Sequence, residues 1–317
     1  MEFSHTPVLL KEVLNGLCIK PDGIYVDGTL GGAGHSFEIV KRLSPVGKLI
    51  GIDQDGDAIE AATQKLRPYE RQVTLVRDNY ENIALVLKEE GIRLVDGILL
   101  DLGVSSLQLD EEERGFSYAH DAPLDMRMNP TVGVSAAQLL ASASKEEITR
   151  ILRVYGEEKF ASKIAARIVR DRETQPLTRT SQLAQIVRDS IPAAARRTGG
   201  NPAKRTFQAL RIAVNDELTI LEAALPAALE RLRVGGRIVI ESYQSLEDRL
   251  VKDIFRRGAT DQAPAGIPLI PEELQARLQL LTRGAQLADD TEKSHNPRSA
   301  SVRLRGAQMI RPWKERP

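Results

Sequence analysis

The sequence predicts an α/β domain with a mostly parallel sheet, interrupted after its fourth strand by an all-helical insertion. Three observations predict it. Short apolar runs alternate with helical patterns from residue 24 to residue 101. A glycine-dense turn, Gly28-Thr29-Leu30-Gly31-Gly32-Ala33-Gly34, joins the first run to a helix start. From about residue 108 to 205, helical patterns continue without a strand pattern.

Taken in order, Ile24–Gly28 reads as strand one and Ser36 to Leu43 as the helix after the turn. Lys48–Asp53 is strand two and Gln72–Arg77 strand three. Val95 to Asp101 is strand four, its unbroken apolar run implying burial on both faces. In the insertion, Ser144 followed by Glu147 marks a helix start. Ala161, Ile164, Ala165, Ile168 and Val169 follow helical spacing. Arg196 to Pro202 reads as a basic loop. Phe207, Leu210, Val214, Leu218, Leu221 and Leu225 then trace one long helix that Pro226 breaks or kinks. Gly235-Gly236 turns into strand five, Arg237–Glu241, and a helix follows from about Leu246 to Arg256. Leu278–Thr282 and Ala300–Arg305 close the sheet as an antiparallel pair.

The 317 residues suffice for one large or two ordinary domains. No run of 18 apolar residues suggests a membrane span, and residues 1–5 lack the pattern of a signal peptide. Cys18 is the single cysteine, so no intrachain disulfide can form, which fits a reducing cytoplasm. Four scattered histidines and no H-x-x-x-H spacing lead to the expectation of no metal site. Net charge is zero, yet it is unevenly spread. From Arg150 to Arg211, fourteen Lys and Arg stand against five acids, a local excess of nine. Such a segment on a neutral chain suggests a nucleic-acid footprint.

In an open α/β sheet, ligands sit at the carboxyl ends of the strands. Asp27, Asp53 and Asp101 fall there. Asp53 lies nineteen residues beyond Gly34, where an acid can accept both hydroxyls of a ribose. The turn meets neither G-x-G-x-x-G nor the P-loop pattern, which argues against a nicotinamide-dependent oxidoreductase and against a phosphate grip. A loop headed by Asp27 repels a pyrophosphate and suits a cationic ligand. S-adenosylmethionine has that character: sulfonium, ammonium and ribose. Tyr80 after strand three could lie against an adenine, while Ser242 and Tyr243 after strand five would face the pocket mouth.

These segments together resemble the RsmH (MraW) family of bacterial S-adenosylmethionine-dependent methyltransferases of 16S rRNA. The resemblance is carried by His5 to Leu10, Tyr25 to Thr29, Gly34-His35-Ser36, Asp96 to Gln108, Arg114 to Ser117 and Pro123 to Met128. It continues in Tyr155 to Glu158, Arg205 to Ile212, Val214 to Leu218 and Ser245 to Arg249. It implies a Rossmann-like class I S-adenosylmethionine-dependent methyltransferase core, residues 1–107 and 206–317, around an inserted helical RNA-binding domain, residues 108–205. It implies N4 methylation of a cytidine in the decoding region, with 16S rRNA in the small ribosomal subunit as partner. It leaves a homodimer open. By motif, the cofactor contacts are Ala33, Gly34, His35, Asp53, Tyr80, Asp101 and Gln108.

Two departures from the family pattern stand out. Tyr243-Gln244 replaces Phe-His, and Asn201-Pro202-Ala203-Lys204-Arg205 replaces His-Pro-Ala-Thr-Arg. Neither family histidine can therefore be essential if this chain is active. For the chemistry, Asp101 is expected to hold the cofactor and shape the acceptor side. Ser105, Ser106, Ser242 or Tyr243 would lie near the acceptor amine. Arg196, Arg197, Lys204 and Arg205 would grip the RNA backbone. A non-catalytic RNA-binding protein that kept a cofactor fold is the competing class.

Overall fold

The computed structural model describes residues 7–193, 201–263 and 269–314. The chain divides into two compact units, residues 1–103 with 218–317 and residues 104–217.

The first unit opens with α1 (Leu10–Leu17), β1 (Ile24–Asp27), α2 (Gly34–Val40), β2 (Lys48–Asp53), α3 (Gly56–Leu66), β3 (Val73–Arg77), α4 (Ile83–Glu89) and β4 (Val95–Asp101). The second unit carries α5 (Ser106–Asp110), α6 (Ala136–Ser142), α7 (Lys145–Gly156), α8 (Ala161–Arg172), α9 (Thr180–Ser190) and α10 (Lys204–Asn215). The chain returns to the first unit through α11 (Glu217–Arg231), β5 (Leu232–Ser242), α12 (Ser245–Gly258), β6 (Leu278–Leu280), α13 (Asp290–His295) and β7 (Arg303–Met309).

The sheet runs β3-β2-β1-β4-β5-β7-β6. β1 to β5 are parallel, while β7 is antiparallel to both β5 and β6. This is the predicted Rossmann-like arrangement, with β1 and β4 adjacent where the strand order reverses. Each face of the sheet has its own apolar layer. One packs Val13, Leu17, Tyr25, Ile39, Leu49, Leu66, Leu99 and Val239. The other packs Val26, Ile50, Ile52, Leu87, Ile98, Leu100, Leu229, Ile240 and Phe255. β4 is buried from Val95 to Leu100, as its continuous apolar run requires.

The structure corrects several expectations. The long helix of Phe207 to Leu225 is two helices, because Asp216 turns left-handed (φ 50°) and caps α10 through its N–H to Ile212. Pro226 does not break α11, which runs through it. The helical unit also extends to residue 217 rather than 205, since α10 packs on α7. Gly156 permits that packing: a Cβ there would lie 2.6 Å from the Arg205 carbonyl oxygen. Finally, β5 begins at Leu232, so Gly235-Gly236 lies inside the strand, at a register shift opposite Val95 and Gly97.

The helical unit has its own core, including Leu140, Ile148, Leu152, Ile164, Ile168, Leu183, Phe207 and Leu210. Much of its basic excess is committed internally. Arg167 and Arg170 pair with Asp171, Arg179 with Asp121 and Arg211 with Glu217. Arg172 donates to the carbonyls of Leu140 and Ala143, closing the end of α6. Arg150, Arg153, Lys159, Lys163, Lys204 and Arg205 remain exposed.

Candidate active site

Side chains alternate across a strand, so residues two or four apart share a face. Asp27, Asp53, Asp101 and Glu241 follow Tyr25, Leu49, Leu99 and Val239 at such spacings. All four acids therefore leave their strands toward the layer that holds α1 and α2. Three of them end their strands (β1, β2 and β4) and Glu241 is the last but one residue of β5, all at the carboxyl edge of the sheet.

The glycine turn is bound to that edge by its own backbone. Gly28 N–H donates to Leu99 O (2.9 Å) and Leu30 N–H to Ile52 O (3.1 Å). A Cβ at Gly28 would lie 2.6 Å from a Leu100 methyl, so only glycine fits without repacking. Asp27 accepts from Thr29 N–H (3.2 Å) and Ser36 Oγ (2.7 Å), fastening the turn to α2. Thr29 Oγ1 accepts Asp101 N–H (2.6 Å), fastening it to β4. Asp53 accepts the N–H groups of Gly31 (2.8 Å) and Asp55 (2.9 Å). Ala33 takes a left-handed conformation (φ 54°), uncommon for a residue with a Cβ, at the entry of α2. At Gly32, a Cβ would meet no protein atom within 4 Å, so the turn presents bare backbone to open space there.

Beyond the turn lies a polar cluster. Tyr243 Oη donates to Asp101 Oδ1 at 2.9 Å. His35 sits with Nε2 2.9 Å from Val8 O, which fixes Nε2 as the protonated nitrogen. Its Nδ1 is 3.9 Å from Asp101 Oδ2, and its Nε2 is 3.6 Å from Glu241 Oε2. Asp101 and Glu241 are register partners across β4 and β5.

Burial governs the protonation of this cluster. It pushes Asp53 up to about 6 against the lowering effect of the Asp55 and Gly31 N–H groups. It pushes Asp101 up to about 6 as well, against the Tyr243 hydroxyl, although 28 % of the Asp101 side chain is exposed. Asp27 is raised by burial, and His35 is lowered by it, so His35 is neutral at pH 7. Glu241 is raised well above the carboxylate range by burial first and the Asp101 charge second. Tyr243, raised by burial and then by Asp101, stays a protonated donor.

Of the residues expected at the site, Ala33, Gly34, His35, Asp53, Asp101 and Tyr243 gather around the turn and the ends of β2, β4 and β5. Tyr80 opens the short helical turn after β3, and the missing side chain of Gly28 leaves it room: a Cβ there would lie 3.2 Å from Tyr80 Cβ. Ser242 does not face the pocket. It alternates with Glu241 and Tyr243 onto the opposite face and is 1 % exposed. Ser105 and Gln108 belong to the helical unit, where they form a reciprocal capping box at the start of α5. Ser106 is the first residue of that helix. Lys204 and Arg205 open α10. Arg196 and Arg197 lie outside the described residues.

Glu241 joins this cluster without being singled out in the sequence, although an acid near the end of an apolar strand is a readable signal. Its partner in the cluster, His35, is expected from the sequence only as a cofactor contact. Among the described residues, His35, Asp101 and Glu241 form a group with metal-ligating atoms, all within 4.8 Å of one another. The sequence leads to no expectation of a metal site.

Comparison with known proteins identifies the family. The model of the MraW methylase family matches residues 2–310. Ribosomal RNA small subunit methyltransferase H of Beutenbergia cavernae is 56% identical over 316 residues, covering 99% of this chain and 95% of that protein. The protein of the same name from Streptomyces avermitilis is 52% identical, covering 97% of each chain. That of Heliobacterium modesticaldum is also 52% identical, covering 98% of this chain and all of its own. With a Rossmann-like core, acids at four strand ends and a family match along nearly its whole length, the chain belongs to the MraW methylase family.

Proposed function

We propose that this protein transfers the methyl group of S-adenosylmethionine to the exocyclic N4 of a cytidine in the decoding region of 16S rRNA. The observation that carries this reading is a charge imbalance. Asp27, Asp101 and Glu241 converge at the strand ends, and among the described residues no Lys or Arg forms an ion pair with any of them. Buried acids without cationic partners suit a ligand that brings positive charge. The open space beside Gly32 leaves the turn free to approach such a ligand closely.

S-adenosylmethionine supplies a methyl group on a sulfonium and leaves as a neutral thioether. Asp53 is oriented by two backbone donors and keeps lone pairs for the ribose hydroxyls. Ala33, Gly34 and His35 line the turn, Tyr80 offers a face for the adenine, and Gln108 is a further contact by motif. Asp101 is the acceptor-side acid. The amine's lone pair is delocalised into its ring, so an acceptor on its hydrogens helps it to attack and then takes the released proton. With its affinity for protons raised to about 6, Asp101 is still an anion at pH 7 yet binds a proton more readily than an ordinary aspartate. Tyr243 positions Asp101 by its hydroxyl. Ser105 and Ser106 are secondary candidates beside the amine; Ser242 is withdrawn because of its face.

Tyr243→Phe tests the positioning role. Loss of this side-chain donor to Asp101 should move the acid limb of the pH–rate profile to higher pH by about half a unit to one unit, because that bond favours the ionised carboxylate. An unmoved limb would separate the hydroxyl from Asp101 function.

The helical unit is read as the RNA grip. Its exposed Arg150, Arg153, Lys159, Lys163, Lys204 and Arg205 can contact phosphates and so orient the substrate without reading sequence. Replacing Arg196, Arg197, Lys204 and Arg205 by alanine should weaken RNA binding and reduce its log–log salt slope by about 0.7 to 0.9 for each phosphate that is no longer neutralised. If the slope is unchanged in fluorescence titrations, the basic residues are only a solvated face. The substrate is read as rRNA within the small ribosomal subunit, which implies a cytoplasmic enzyme. No described helix is long and apolar enough to cross a membrane. Mass spectrometry of 16S rRNA from a deletion strain tests the whole reading. Loss of one N4-methyl mark from a decoding-region cytidine is expected, and an intact pattern would favour a non-catalytic RNA-binding role.

A further inference from the structure

Glu241 is 0 % exposed, and neither carboxyl oxygen has a hydrogen-bond partner among the described residues. An acid in that state is costly to ionise unless positive charge comes near it. Among the described residues, none of the charged groups that act on it most strongly supplies that charge. Asp101 on β4 lies beside it, and the charges of Glu292 on α13, Asp27 on β1 and Glu12 on α1 also act on it, all acids. His35 approaches from α2, but it is neutral and its Nε2–H is committed to Val8 O. Tyr243, two residues on, directs its hydroxyl to Asp101 rather than to Glu241.

We infer that Glu241, acting with Asp101, makes this site prefer the charged sulfonium donor over its neutral thioether product. This rests on the pocket reading given above. In the empty site the Glu241 and Asp101 carboxyls hold a proton between them, since two buried like charges this close do not both ionise. A sulfonium brings a fixed positive charge that favours the second ionisation. The proton then leaves to solvent by way of Asp101, the partly exposed member of the pair. The thioether product has lost that charge at sulfur, so the pair takes its proton back and product is held less tightly. Discrimination of this kind helps the spent cofactor to leave.

The test is calorimetric titration of the full chain with S-adenosylmethionine and S-adenosylhomocysteine at pH 7, in phosphate and in Tris. The two buffers differ in ionisation heat and so report protons released. In wild type, the sulfonium ligand should release more protons than the thioether. In Glu241→Gln that difference should vanish, and the preference for the sulfonium should fall about tenfold. Affinity for the thioether should stay within about twofold. An unchanged preference in the variant overturns the inference. So does equal proton release for the two ligands in wild type, a result that stands even if the variant fails to fold. Stoichiometric binding of MnCl2 or ZnCl2 to wild type, abolished in the variant, also overturns it, because the acid then belongs to a metal ion. If neither nucleoside binds the folded wild type, the pocket reading and this inference fall together; if both bind and only the preference is unmoved, the inference alone fails.

Discussion

Asp53→Ala should lower affinity for S-adenosylmethionine by about a hundredfold or more while leaving affinity for 16S rRNA unchanged. Two effects add. A carboxylate that accepts both ribose hydroxyls makes two charge-assisted hydrogen bonds, each worth about 1.5–3 kcal/mol. The same carboxylate holds the N–H groups of Gly31 and Asp55, so its removal also loosens the glycine turn. Asp53→Asn separates them, because the amide retains an acceptor for one backbone donor but presents no charge to the ribose. Burial raises Asp53 to about 6, so wild-type affinity should decline as pH falls through 6, and the decline should be shallower in both variants, where only Asp101 and Glu241 still take up protons. Direct binding measurements from pH 5 to 8 check this. Wild-type affinity in Asp53→Ala would remove Asp53 from the cofactor site.

Asp101→Asn should lower kcat by about 10² to 10⁴, the range spanned by a positioned general base. It should also stabilise the empty protein at pH 8. The sign follows from linkage. Asp101 binds its proton more tightly when folded (about 6) than when unfolded (3.8), so the native state carries more protons between those values. Its contribution to stability is present at low pH and is lost as pH rises from about 4 to about 6. Above that, folding includes the cost of an ionised, partly buried acid, and the amide avoids it. With the side chain 28 % exposed, solvent screening limits the gain to about 1–2 kcal/mol, or a few degrees in Tm. The gain should shrink at pH 5, where the wild-type group is mostly protonated. A variant with wild-type turnover would remove Asp101 from the proton path; one that is less stable at pH 8 would contradict the burial cost.

Much of the core was legible because its signals are local. β1 to β4 are set by short apolar runs, three of them ending in acids, and the turn by glycines whose missing Cβ is required, as at Gly28 beside Leu100. Asp27, Asp53 and Asp101 could be named as strand-end acids for the same reason. Features that depend on partners distant in sequence were not legible. Apolar spacing passes unbroken through Asp216, and only its left-handed backbone separates α10 from α11. The allegiance of α10 to the helical unit depends on Gly156, some fifty residues earlier. The face of Ser242 depends on the parity of β5, which a strand-end position does not reveal. Glu241 is distinguished by its lack of hydrogen-bond partners among the described residues, which only folding exposes. In the helical unit, the basic excess was countable, but its division into internal ion pairs and exposed cations was not.

Calorimetric titration of the purified, folded wild-type chain with S-adenosylmethionine tests the central claim most directly. One site per chain with micromolar affinity, weakened at least tenfold below pH 6, is the predicted result. Absence of heat with both S-adenosylmethionine and S-adenosylhomocysteine, across several temperatures and with the fold verified by circular dichroism, would contradict it.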